Sequence, residues 1–162
     1  MLSQEDVKRS IFTVMRGYEA STDHIKPQVS NRSTNAADLK FESMDDTLVN
    51  EMRILIKEDK TMTASGTCFY TGYEDPYSGY RVDGELAYDC EKDENDDAVC
   101  EFSCHPALTG GKVKKLEFQL NIDSDGQCSV ASVFANEKKI EFYQWAFVTR
   151  IIRSFSPNLA GG

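Results

Sequence analysis

The run Tyr80-Arg81-Val82-Asp83-Gly84-Glu85-Leu86-Ala87-Tyr88-Asp89-Cys90 reads with a period of two. Tyr80, Val82, Leu86, Tyr88 and Cys90 fall on one side; Arg81, Asp83, Glu85 and Asp89 fall on the other. Successive side chains of a strand point to opposite faces, so this pattern predicts a strand with one apolar and one charged face. Residues 91–97 form an acidic turn, and Ala98, Cys100, Phe102 and Cys104 then alternate with Glu101 and Ser103. That is the return strand of a hairpin, with Cys100, Phe102 and Cys104 expected in the core. His105-Pro106 ends it, because proline has no N–H for the ladder.

The same period extends outward. Residues 61–71, rich in Thr, Phe and Tyr, predict a strand. Thr109-Gly110-Gly111 predicts a turn, after which Leu116, Phe118, Leu120 and Ile122 alternate with Glu117, Gln119 and Asn121. Asp123-Ser124-Asp125-Gly126 turns the chain, residues 128–134 return, residues 136–138 turn again, and residues 140–142 start a last strand. Residues 45–57 fit a helix and a strand alike; the β-branched residues tip them to an extended segment from about Asn50.

Helical spacing belongs to the two ends. Val7, Ile11, Val14, Met15 and Tyr18 share a face of a helix expected over residues 3–18, with Ser3 as N-cap, Asp6 three residues on and Gly17 at the stop. Trp145, Val148, Ile152 and Phe155 recur at the same spacing, and Arg150 and Arg153 suit a helix C-terminus. Residues 21–37, broken by Pro27, read as a polar loop or linker, and residues 157–162 as a flexible tail. Asn31-Arg32-Ser33 is a glycosylation sequon, relevant only in a secreted protein.

A chain of 162 residues is read as a single domain over 1–162. The element order predicts an α+β fold: an N-terminal helix, an antiparallel meander of about five to seven strands, and a C-terminal helix, with neighbours in sequence paired in the sheet. A curved sheet of the cystatin-like or NTF2-like kind fits this order, and a lipocalin-like barrel is the alternative.

Twenty-seven acids against eighteen Lys and Arg give a net charge of -9. Across residues 73–101, eleven acids face only Arg81 and Lys92, while residues 102–162 carry a net +2. Such a field repels nucleic acid and anionic membranes and attracts basic partners. No apolar run of about 18 residues predicts a membrane span. Leu2 is followed at once by Ser3, Gln4, Glu5 and Asp6, which is not the pattern of a secretory signal. The expectation is a cytoplasmic protein, or one delivered without a classical signal peptide. Its five cysteines, Cys68, Cys90, Cys100, Cys104 and Cys128, form no CxxC pair and then read as reduced thiols. In a secreted chain, two disulfides and a spare thiol would replace them.

Tests for chemistry yield little. His105 adjoins Cys104, but strand neighbours point apart, so they form no nucleophile–base pair. No spacing selects a carboxylate pair, and no catalytic residue is assigned. Cys90, Cys100, Cys104 and His105 have zinc-ligating side chains, but on a regular strand Cys100 and Cys104 stand about 13 Å apart, too far for one ion. Residues 121–126 resemble the first half of a calcium loop, yet its twelfth position is Ser132 and strands flank it. No metal and no cofactor are expected.

The favoured reading is a non-enzymatic acidic protein-binding domain: an inhibitor, immunity protein, secretion chaperone or adaptor engaging a basic protein surface. Its contacts would be Tyr73, Glu74, Asp75 and Tyr77 of an aromatic and acidic loop, with Asp93, Glu94, Asp96 and Asp97 of the hairpin. A homodimer is left open; nucleic acid and membrane are not expected partners. The alternative is a small-ligand binder with an apolar pocket between sheet and helices, lined by Tyr88, Phe102, Phe118, Phe134 and Trp145, with Phe69 a further candidate. An enzyme using a buried carboxylate in that pocket is the third reading. Lys112, Lys114, Lys115, Lys138 and Lys139 fall on turns that can gather at one end of the sheet, without the aromatics of a nucleic-acid platform.

Overall fold

Ser3 caps the first element. Its hydroxyl accepts the Asp6 N–H at 3.1 Å, and the Asp6 carboxylate accepts the Ser3 N–H at 2.9 Å. This closes a capping box ahead of α1 (Gln4–Ala20). Val7, Ile11, Val14 and Met15 form its buried stripe, as the spacing predicts. Gly17 does not stop the helix, which runs one turn further. A Cβ at Gly17 would stand 2.5 Å from the ring of Tyr70. The Tyr70 hydroxyl donates to the Val14 carbonyl at 2.6 Å, so the glycine is a gap through which an aromatic side chain crosses the helix.

The computed structural model describes residues 2–124 and 128–141. Among them, ten strands follow the helix: β1 (Gln28–Ser30), β2 (Ala36–Glu42), β3 (Leu48–Ile56), β4 (Met62–Glu74), β5 (Arg81–Lys92), β6 (Ala98–Cys104), β7 (Ala107–Thr109), β8 (Leu116–Asp123), β9 (Cys128–Ala135) and β10 (Lys138–Lys139). All pair antiparallel in one open sheet of order β1-β2-β3-β4-β5-β6-β8-β9-β10. β7 continues the line of β6 along β5, pairing Val82 with Leu108. The fold is therefore α+β, one N-terminal helix on a large antiparallel sheet.

Ten strands exceed the five to seven expected. β1 falls inside the stretch read as polar loop and β2 begins at its end; β1 is exposed throughout, so no apolar period marked it. Residues 45–57 resolve as strand β3, because β2 and β4 flank it and satisfy its backbone on both sides. The last short strand lies at Lys138–Lys139, ahead of Ile140. The helix expected at Trp145 to Phe155 and the tail at 157–162 lie outside the described residues.

Cys100, Phe102 and Cys104 are buried as expected, in one core cluster with Leu86, Phe118, Leu120 and the α1 stripe. Cys90 and Cys100 stand directly opposite each other in the β5–β6 register, with Cα atoms 4.1 Å apart, and are joined by a disulfide. This corrects the reduced-thiol expectation for that pair. Two directly opposed core positions on a hairpin bring their Cβ atoms within bonding reach. The bond closes a short loop, for which chain entropy predicts about 2.5–3 kcal/mol. The double variant C90A/C100A is expected to lose that much, lowering the melting temperature by roughly 5–10 °C for a chain of this size. Identical melting of variant and non-reduced wild type would remove the bond from the account of stability.

Cys68 and Cys104 are free and buried. Burial pushes the Cys68 thiol up to about 11 and raises Cys104 well above its ordinary value. The thiolate is the reactive form, so both are inert near neutrality. Iodoacetamide at pH 8 is expected to leave both unmodified until denaturant is added; peptide mapping that finds either one alkylated within minutes would contradict this packing.

Candidate functional site

The loop 75–80 between β4 and β5 is tied to α1 through Asp75, which is 2% exposed. Arg16 Nε donates to Oδ1 at 3.0 Å, and its terminal amine bonds Oδ2. The Thr13 hydroxyl lies 3.1 Å from Oδ2, the Ser78 hydroxyl donates to it at 2.6 Å and the Ser78 N–H at 3.2 Å. Burial opposes the charge on Asp75, but the donors from Arg16 and Ser78 outweigh it and hold the carboxyl below its usual range. Tyr73 also turns inward, edge-on to Tyr70 with centroids 6.1 Å apart. Burial, with the Asp75 charge next, pushes its phenol up to about 12. Tyr73 and Asp75 are thus internal anchors. Glu74, at the end of β4, and Tyr77, in the loop, are exposed, and the Arg16 guanidinium sits 5.3 Å from the Tyr77 ring centroid.

Asp93, Glu94, Asp96 and Asp97 all stand exposed on the β5–β6 turn. Asp93 Oδ1 accepts the N–H groups of Asn95 and Asp97 at 2.9 and 3.0 Å, which shapes the turn. Asp96, at φ 64°, pairs with Lys92 at 3.1 Å. Glu94 projects into solvent beside them, and Asp97 Oδ1, also exposed, accepts from the Ser124 hydroxyl at 3.4 Å.

The outer face of β5, β6 and β8 gathers further acids that sequence reasoning left out of the site. Its register sets Ser65, Asp89, Glu101 and Asn121 in one cross-strand row and Ala87, Ser103, Gln119 and Ser132 in the next. Asp89 and Glu101 are directly opposed, and like charges in that position destabilise a sheet by a fraction of a kcal/mol. This second row, small apart from Gln119, floors a depression of about 200 Å³, walled by Glu85, His105 and Glu117. It adjoins a second depression of about 140 Å³ bordered by Asp89 and Glu101. On these three strand faces, Glu85 to Glu91, Val99 to Ser103 and Glu117 to Asp123, no Lys or Arg points outward. Val99 is half exposed between Glu91 and Asp123. A trough walled mainly by carboxylates, with a largely small-residue floor, has room for the ammonium or guanidinium end of a long side chain.

The apolar set proposed for a ligand pocket is not brought together. Tyr88, Phe102 and Phe118 are buried on the helix side of the sheet. The Tyr18 ring packs edge-on to both Tyr88 and Phe102 at 5.1 Å, so these residues fill the core. Phe134 sits between the buried Val133 and Ala135, hence on the opposite face, paired with Glu117; Phe69 alternates in the same way with Cys68 and Tyr70. Trp145 lies outside the described residues. Among the described residues, no group of three or more His, Cys, Asp and Glu is placed to hold a metal, and no helix is long and apolar enough to cross a membrane. Neither a family model, nor a curated protein, nor a solved structure matches the chain.

Proposed function

We propose that the protein is a non-enzymatic binding domain whose acidic sheet face and β5–β6 hairpin engage a basic protein partner. One observation carries this: Asp89 and Glu101 are directly opposed on an outer face that presents no Lys or Arg over Glu85 to Glu91, Val99 to Ser103 and Glu117 to Asp123. The sheet bears that repulsion in the free state, and a cationic side chain in the trough relieves it. The hairpin acids would act earlier, steering encounter, with Glu74 and Tyr77 as rim contacts. Such engagement suits an inhibitor, immunity protein, secretion chaperone or adaptor. A helix lying on a long antiparallel meander supports a cystatin-like or NTF2-like curved sheet as the finer fold. The Cys90–Cys100 bond favours an oxidising compartment over the cytoplasm for the encounter.

The test is fluorescence anisotropy with a labelled oligo-arginine peptide. The variant E85Q/D89N/E101Q/E117Q is expected to bind about fourfold or more weakly, from four exposed pairs each worth roughly 0.2–1 kcal/mol. The same charge loss placed elsewhere, in E5Q/E42Q/D46N/E58Q, is expected to change affinity by no more than about twofold. Neutralising the hairpin, in D93N/E94Q/D96N/D97N, is expected to slow association at low salt and to have no effect at high salt, where screening shortens to a few Å. Equal weakening by both four-site variants would reduce the face to unspecific charge and sink the proposal.

A further inference from the structure

An unbroken register around Pro106 sets a histidine between two carboxylates in the wall of the trough. β5 pairs Leu86 with Cys104 of β6 and Asp83 with Ala107 of β7, so Glu85 stands opposite His105. β8 pairs Phe118 with Cys104, and Lys115 bridges to Ala107, so Glu117 stands opposite His105 on its other side. Directly opposed side chains have Cβ atoms about 4.5–5.5 Å apart. All three residues are exposed on the outer face and line the same depression of about 200 Å³. The local backbone holds them there. Pro106 keeps the residue before it extended. The Leu116 N–H reaches the Pro106 carbonyl at 3.3 Å, and Gly84 lets β5 close on this point, since a Cβ there would stand 3.0 Å from the Pro106 Cα. The next nearest charges are engaged elsewhere. On the β5 diagonal, Asp83 pairs with Arg81 at 3.8 Å and accepts the Gly72 N–H at 2.7 Å. On the β8 diagonal, Lys115 pairs with Glu137 at 2.9 Å. Phe69 and Phe134 lie beyond Glu85 and Glu117 in the same row, and Asp89 and Glu101 lie across the row that floors the trough.

We infer that His105 makes this trough a pH-gated site: its imidazolium and a basic side chain of the partner compete for Glu85 and Glu117, so the partner is held near neutrality and released on mild acidification. The inference rests on the reading of the trough as the seat of a cationic side chain. Imidazole is the side chain that ordinarily changes charge between pH 5 and 8. Uncharged, His105 leaves both carboxylates to an incoming guanidinium. Protonated, it puts a cation between them and repels that guanidinium. Affinity is therefore full where the ring is neutral and declines as the pH falls through its titration. Coupling between two binding events is reciprocal, so seating the basic side chain expels the ring proton.

The test titrates the full chain with a labelled oligo-arginine peptide with blocked termini, whose guanidinium groups stay charged throughout. At constant ionic strength, wild-type affinity is expected to fall about fivefold from pH 7.5 to pH 5.5, the low end for coupled sites because the trough is open to solvent. H105Q is expected to lose less than about twofold, since carboxylates ordinarily titrate below this range. His24, the other histidine, lies in the turn after α1, and H24Q is expected to keep the wild-type loss. By NMR, the His105 ring signals are expected to titrate at lower pH when the peptide is saturating, and at lower pH in free E85Q/E117Q than in free wild type. Equal losses in wild type and H105Q, or ring signals that titrate alike with and without peptide, would overturn the gate and leave the basic-partner reading standing. Absence of binding by wild type at pH 7.5 would overturn both.

Discussion

Replacing Asp75 by alanine is expected to destabilise the protein by about 3–4 kcal/mol, since removing one partner of a buried ion pair leaves the other charge and its donors uncompensated. The carboxylate is enclosed, and Arg16 keeps about a quarter of its side chain in solvent, which places the expected loss at the low end of the range for such pairs. Thr13 and Ser78 lose an acceptor in the same variant, although their hydroxyls still bond each other at 2.6 Å. The melting temperature should fall by roughly 6–14 °C. The effect has a defined pH dependence. The carboxyl is held below its ordinary value when folded, so its contribution is complete above the unfolded value, near pH 4. It is lost as pH falls through the folded value. Urea denaturation should therefore separate wild type from D75A widely at pH 7 and much less at pH 2–3. A difference below about 1 kcal/mol at pH 7 would mean that the ion pair merely offsets its own desolvation.

The central hairpin was legible because alternation on one apolar face is a strong signal when one side of a sheet is buried. β6 occupies the residues that the pattern of Ala98, Cys100, Phe102 and Cys104 selected. β1 was not legible, since all its residues are exposed and a strand that buries nothing carries no period. Gly17 was misread for a different reason. A glycine near a helix end resembles a stop, but what it accommodates is Tyr70, more than fifty residues away, and local sequence holds no trace of that contact.

The site divides along the same line. Exposure of Asp93, Glu94, Asp96 and Asp97 follows from their place in a turn between two strands. Asp75 and Tyr73 were chosen for their residue types, yet burial depended on α1 presenting Arg16 and Thr13 to the loop. The acids of the outer face were visible one by one as the polar halves of three alternations. Their union required the register that sets Asp89 against Glu101 and Glu101 against Asn121, which the lengths of the turns between these strands decide. The disulfide depended on that register as well, since only direct opposition of Cys90 and Cys100 permits it.

Asn50→Leu and Tyr88→Phe are each expected to cost about 2–3 kcal/mol alone, and the double variant little more than either, because an unpaired buried polar group costs more than a missing pair. Asn50 is fully buried near the start of β3. Its side-chain oxygen accepts a short hydrogen bond from the Tyr88 hydroxyl, and its amide donates to Ser21 Oγ at 2.9 Å. Ser21 donates in turn to the Tyr18 carbonyl at 2.6 Å, so the chain of bonds runs from the sheet centre to the C-terminal end of α1. Burial raises the Tyr88 phenol far above its ordinary value, which keeps it a donor across the accessible pH range. Gly66 makes room for this arrangement: a Cβ there would stand 2.9 Å from the Tyr88 hydroxyl. In Tyr88→Phe the Asn50 oxygen is left without a donor; in Asn50→Leu the Tyr88 hydroxyl is left without an acceptor. The double variant removes both, and Ser21 keeps its bond to Tyr18. A double-mutant cycle by urea denaturation should therefore give a coupling of at least about 1 kcal/mol, in the direction of mutual compensation. Additive losses would show that solvent reaches the site and satisfies each group separately, and the chain of bonds would then not be what holds α1 against the sheet.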